Sequence, residues 1–132
     1  MKLLALILLI VLPHSFAEAG YYNFSIFASG DFNSDGVDDL VGAVAFGSKI
    51  LLQDGQTDAL TVIGSVPKGV SLSNAAIVVG NFGDDEKLDF AIVSGVGNSD
   101  TNRVGIKKII YLNRENGAFE RADERPVWVD AK

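Results

Sequence analysis

The 132-residue chain is predicted to be all-β, built from about two antiparallel four-stranded sheets. Three observations lead there. Short runs rich in Leu, Ile, Val and aromatic residues are separated by clusters of Gly, Asp and Asn, as strands are by turns. No window keeps an apolar period of 3.6 residues, so little helix is expected. A loop motif occurs twice at an offset of fifty residues, each copy set between apolar runs.

The elements follow in order. Residues 22–28 form a strand that enters the first loop, and residues 40–45 leave it. Residues 49–52 and 60–66 are the next strands, separated by the Asp54-Gly55 turn signal. Residues 75–79 enter the second loop, and 90–94 leave it. Residues 95–102 read as a polar, glycine-rich connection. Residues 104–112 are the longest β-rich run and lead to the Asn116-Gly117 turn. Val127-Trp128-Val129 forms a further short strand after Pro126.

The first loop, Gly30-Asp31-Phe32-Asn33-Ser34-Asp35-Gly36-Val37-Asp38-Asp39, carries the chemistry. Asp31, Asn33 and Asp35 place oxygen atoms at every second position. Hard cations such as calcium take six to eight oxygen ligands, at about 2.3–2.6 Å. Gly36 supplies the sharp turn, because glycine reaches positive φ without steric cost. Val37 contributes its backbone carbonyl, and Asp39 closes the shell. Asp38 points the other way, since neighbouring side chains alternate. Counted from Asp31, position twelve is Gly42, where an EF-hand needs glutamate, and the flanks are strands rather than helices. The bland alternative is a surface turn stabilised by Asx hydrogen bonds.

The second loop, from Gly80 to Asp89, aligns with the first without gaps but has lost ligands. Asn81 replaces the first acid, Gly83 has no side-chain oxygen, and Glu86 stands where the turn wants glycine. Asp85 and Asp89 remain. Asn81, Asp85 and Asp89 therefore form a weak or degenerate second site. Phe32 and Phe82 occupy position two of the two loops and are expected to tuck under them as packing anchors.

Self-similarity at about 40–50 residues points to propeller blades or arrays. The paired Gly-Asp/Asn-Phe loops and the strand, Asn/Gly turn and phenylalanine at 111–119 resemble the FG-GAP and VCBS repeat family. These are calcium-loop β-propeller repeats related to those of integrin α chains. The resemblance spans roughly residues 21–123. It implies that residues 18–70 are one repeat, and that 71–132 are a second repeat plus the start of a further strand. It also implies Ca2+ held by the side chains of Asp31, Asn33, Asp35 and Asp39 with the Val37 carbonyl. Propellers close with about 4–8 blades. Two units are therefore expected to belong to a longer chain or to an assembly.

Residues 1–17 read as a signal peptide: Met1-Lys2, an apolar run at 3–11, Pro13, then Ser15-Phe16-Ala17 for cleavage. That run is too short to span a bilayer, which needs about 20 residues. No later run reaches that length, so no membrane span is expected after cleavage. A secreted, extracellular location follows, and Asn23-Phe24-Ser25 is a glycosylation acceptor there. Losing Lys2 moves the net charge from −6 to −7. An acidic chain is a poor partner for nucleic acid. There is no cysteine, and the only histidine, His14, is in the signal. That excludes thiol and histidine-dependent catalysis and disfavours zinc. The expected role is non-catalytic: structural contact with an extracellular protein in adhesion, matrix or receptor binding. Alternatives are a lectin-like propeller taking a glycan ligand, or an accessory segment of a secreted hydrolase.

Overall fold

The computed structural model describes residues 24–114 and 118–131. The expected signal peptide, the glycosylation acceptor Asn23 and the Asn116-Gly117 turn lie outside the described residues. Strands β1 (Phe24–Gly30), β2 (Asp39–Val44), β3 (Lys49–Gln53) and β4 (Leu60–Ser65) form one antiparallel sheet in that order. Strands β5 (Ala75–Gly80), β6 (Asp89–Asn98), β7 (Arg103–Asn113) and β8 (Phe119–Asp123) form a second. Strand β9 (Val127–Asp130) joins the second sheet along β7. The all-β expectation holds. Helical geometry among the described residues is confined to 3-10 turns at Phe46–Ser48 and Leu72–Asn74.

One expectation is corrected. Residues 95–98 are not a connection; they continue β6, with Gly95 opposite Ile106 and Asn98 opposite Arg103. Pairing satisfies main-chain groups that a loop would have to leave to water, and this outweighs the low strand preference of glycine. The turn is closed by Asn98, whose Oδ1 accepts from the amides of Asp100 and Thr101.

The two sheets are built alike. Gly30 pairs with Asp39 and Gly80 with Asp89, so each loop joins the first two strands of its sheet. Leu40 pairs with Gln53, and Phe90 with Tyr111. By that register Asp54 corresponds to Leu112, and Gly55 to Asn113.

Alternation along the strands sorts the faces. Ile26, Ala28, Val41 and Ile50 point from the first sheet into the core, while Phe27 points away and is 62% exposed. The second sheet meets them with Ile77, Val79, Phe90, Ile92, Ile109 and Tyr111. A fifty-residue shift maps Phe27 onto Ile77, so corresponding positions face outward in one sheet and inward in the other. The sheets therefore stack face to back, like successive members of a series. A Cβ on Gly30 would sit 2.5 Å from Leu88 Cδ2, so a larger residue there would require the Leu88 side chain to move.

Phe32 leaves the first loop and enters the core, where it is 6% exposed. Its ring meets Phe90 and Phe119 edge-on, with centroids 6.2 and 5.9 Å away. Phe90 stacks on Tyr111 at 4.7 Å. Such pairs add about 0.5–1.5 kcal/mol each beyond area burial. Phe32 thus fills the anchoring role expected of it, and it does so across the two sheets.

Candidate metal centre

The first loop is wound on its own carboxylates. Asp31 Oδ1 accepts from the Asp35 amide at 3.1 Å, and Oδ2 from the Gly36 amide at 2.8 Å. Asn33 Oδ1 accepts from Asp35 N, and Asp35 Oδ1 from Val37 N. Two residues adopt left-handed geometry, Ser34 at φ 60° and Gly36 at φ 86°. The turn therefore falls at the expected glycine, with Ser34 as a second bend that spacing alone did not reveal.

Asp39 opens β2 and is buried. Its Oδ2 accepts from the Phe32 amide at 2.9 Å, and its Oδ1 from the Gly55 amide at 2.9 Å. The carboxylate thus ties the loop to the β3–β4 connection. Because Leu40 pairs with Gln53, the next residue, Asp54, lands beside Asp39. Asp35, Asp39 and Asp54 each offer an oxygen within 4.8 Å of the others. Asn33 Nδ2 donates to Asp54 Oδ2 at 3.2 Å. Asp54 Oδ1 also accepts from the amides of Gln56 and Thr57.

Sequence reasoning placed Asp35 and Asp39 together but missed Asp54. The only local signal was the Asp54-Gly55 pair, which marks a turn. What brings Asp54 in is strand register, not spacing. Asp31 and Asn33 lie on the same loop with their oxygens turned to backbone amides, and Val37 donates its amide to Asp35. Asp38 is exposed.

The second loop keeps the hub and changes its surroundings. Asp89 is buried, and its Oδ2 accepts from the Phe82 and Gly83 amides at 2.8 and 3.0 Å. Its Oδ1 accepts from the Asn113 amide at 2.7 Å, as Asp39 does from Gly55. Asp85 Oδ1 accepts from Lys87 N, and Asn81 Nδ2 donates to the Asp85 carbonyl. Left-handed geometry is absent from residues 81–88. Where the first loop has Asn33 and Asp54, the second has Gly83 and Leu112. A Cβ on Gly83 would lie 3.3 Å from Leu112 Cδ2, so an apolar contact fills that corner. Among the described residues, the only cluster of three such ligands within 4.8 Å is the one at the first loop. Arg114 lines a cavity with Asp84 and Asp85, while its guanidinium pairs with Glu120 at 2.7 Å.

Asn113 was also missed. It is buried, and its Nδ2 donates to the Phe32 carbonyl at 2.7 Å and the Leu88 carbonyl at 3.0 Å. It joins both loops. A separate cavity of ≈ 540 Å³ is lined by Ser25, Ser48, Val66, Val70 and Ser73, among others, with no titratable side chain. No helix among the described residues is long and apolar enough to cross a membrane. No protein-family model, curated protein or solved structure matches the chain.

Proposed function

We propose that the protein is a secreted, non-catalytic repeat module of the β-propeller type, whose first loop takes calcium. The observation that carries this reading is the meeting of Asp35, Asp39 and Asp54 at a loop already spaced for oxygen ligands. Three carboxylates so close repel one another, and a divalent cation relieves that repulsion. The donor set is three carboxylates, all oxygen; Asn33 meets Asp54 through its Nδ2, and its own oxygen is taken by the Asp35 amide. Such a set suits calcium or magnesium, and it lacks the sulfur and imidazole that zinc prefers. A bound ion would supply positive charge linking the β1–β2 loop to the β3–β4 connection. Binding free energy then becomes folding free energy.

Function lies in the surface that this scaffold holds. The expected partner is an extracellular protein met in adhesion, matrix or receptor contact. The absence of histidine and cysteine from residues 18–132 supports a non-catalytic role. Calorimetric titration with calcium tests the reading. One site per chain is expected, lost on Asp35→Ala. Absence of heat at millimolar calcium, with the fold intact, would reject it.

A further inference from the structure

The face-to-back stacking leaves two different outer faces, and each repeats part of a face that is covered inside the molecule. On the second sheet, Val78 and Phe82 occupy the positions that Ala28 and Phe32 hold on the first. Ala28 and Phe32 are packed between the sheets, whereas Val78 is 45% exposed and Phe82 half-buried. Gly80 repeats Gly30, and the Phe82 ring lies about where its missing Cβ would point. On the first sheet, Phe27 occupies the position of Ile77, which packs in the core. Phe27, Gly42, Leu51 and Val62 form one cross-strand row, and Leu60 lies two residues along from Val62. Phe27, Leu60 and Val62 are exposed.

Part of each half of the internal interface is thus repeated on an outer face; Lys108 stands where Ile50 packs, Gly42 where Ile92 does, and Leu60 and Val62 are apolar at the places of Arg121 and Asp123. We propose that the protein self-associates head to tail. The outer face of the second sheet, with Val78 and Phe82, docks on the outer face of the first sheet of another copy, at Phe27, Leu60 and Val62. The joint continues the stacking that already relates the two sheets. It is heterologous, so repetition gives a ring if the rotation closes and a filament if it does not. The occupant is a second copy because both complementary faces belong to this chain. The outer joint is weaker than the inner one. Asn113, which grips the Phe32 carbonyl, corresponds to Gly55, which has no side chain to grip the carbonyl of Phe82. Leu40 and Gln53 likewise replace the stacked Phe90 and Tyr111. Reversible association that dilutes apart is therefore expected. The inference is independent of metal binding at the first loop.

Light scattering and sedimentation over a concentration series test it, using the chain and two variants, Phe82→Asp and Phe27→Asp. The parent should exceed one-chain mass as concentration rises. Each variant alone should stay at one-chain mass with an unchanged circular dichroism spectrum. An equimolar mixture should give a two-chain species and nothing larger, because each variant keeps the face the other has lost. Val78→Lys and Val62→Lys, both at exposed positions, replace the aspartates if those disturb folding. A parent that remains monomeric throughout overturns the proposal. So does a Phe27→Asp variant that still dimerises alone, since that would mean symmetric pairing of second sheets. A mixture that stays monomeric overturns it as well.

Discussion

The side-chain amide of Asn113 donates to the main-chain carbonyl of Phe32 at 2.7 Å, across 81 positions of sequence. The same amide nitrogen reaches the Leu88 carbonyl, and the Asn113 main-chain amide is held by Asp89. One buried residue therefore links both loops and the joint between the sheets.

Asn113→Ala should be costly. Two carbonyls lose their donor, and one lies in a buried setting. Each such loss costs about 1–3 kcal/mol, so roughly 2–6 kcal/mol is expected from urea unfolding. Asn113→Asp should cost more, because it sets a carboxylate against the same carbonyls. A cost near zero for both would show that the joint does not depend on this residue.

Phe32 and Phe82 occupy equivalent places in the loops but not in the core. Phe32→Ala opens a cavity within the aromatic cluster and should cost about 3–5 kcal/mol. Phe82→Ala removes a half-buried ring, with Lys108 Nζ 5.6 Å from its centre, and should cost about 1–2 kcal/mol. Equal losses in denaturant unfolding would contradict the assignment of Phe32 as the inter-sheet anchor.

Asp54 and Asp39 belong to one carboxylate cluster yet do different work. Asp54→Ala should weaken calcium binding about tenfold or more, roughly 1.4 kcal/mol, and should lower the metal-free melting temperature less than Asp39→Asn, because the hydrogen bonds it loses are exposed. Asp39→Asn should destabilise the metal-free protein by about 1–3 kcal/mol, because an amide group would face a backbone donor. Titration calorimetry and thermal melts in chelator separate the two effects.

Tyr111 is buried against Phe90, and its hydroxyl finds no hydrogen-bond partner among the described residues. Burial pushes its ionisation above the ordinary tyrosine range. The folded state therefore favours the neutral form. Its contribution is whole below the unfolded value of about 10 and fades as pH rises through the higher folded value. Tyr111→Phe should be within about 1 kcal/mol of the parent near neutrality. It should also lose less stability at alkaline pH. Parallel alkaline limbs in melting temperature against pH would refute this.

The apolar runs and the turn residues between them located β1 to β7 and β9, but not β8, whose Phe119-Glu120-Arg121-Ala122-Asp123 carries little apolar signal. The oxygen-bearing residues of the first loop were legible as spacing because they are close in sequence. Asp54 and Asn113 were not, because their importance comes from cross-strand register. Leu40 opposite Gln53 puts Asp54 beside Asp39, and Phe90 opposite Tyr111 puts Asn113 beside Asp89. The β6 extension was hidden for a related reason. Its glycines look like a loop until β7 supplies the partners.

The topology also orders the folding reaction. Every strand of the first sheet pairs with its neighbour in sequence, as do β5 to β8 of the second, so each sheet can zip from short-range hairpins. Among the described residues, the Phe32–Asn113 link has the greatest sequence separation of the side-chain hydrogen bonds, and it needs both sheets in place. Docking is thus the late step, and an arrested chain would present two finished sheets with their aromatic joint still wet.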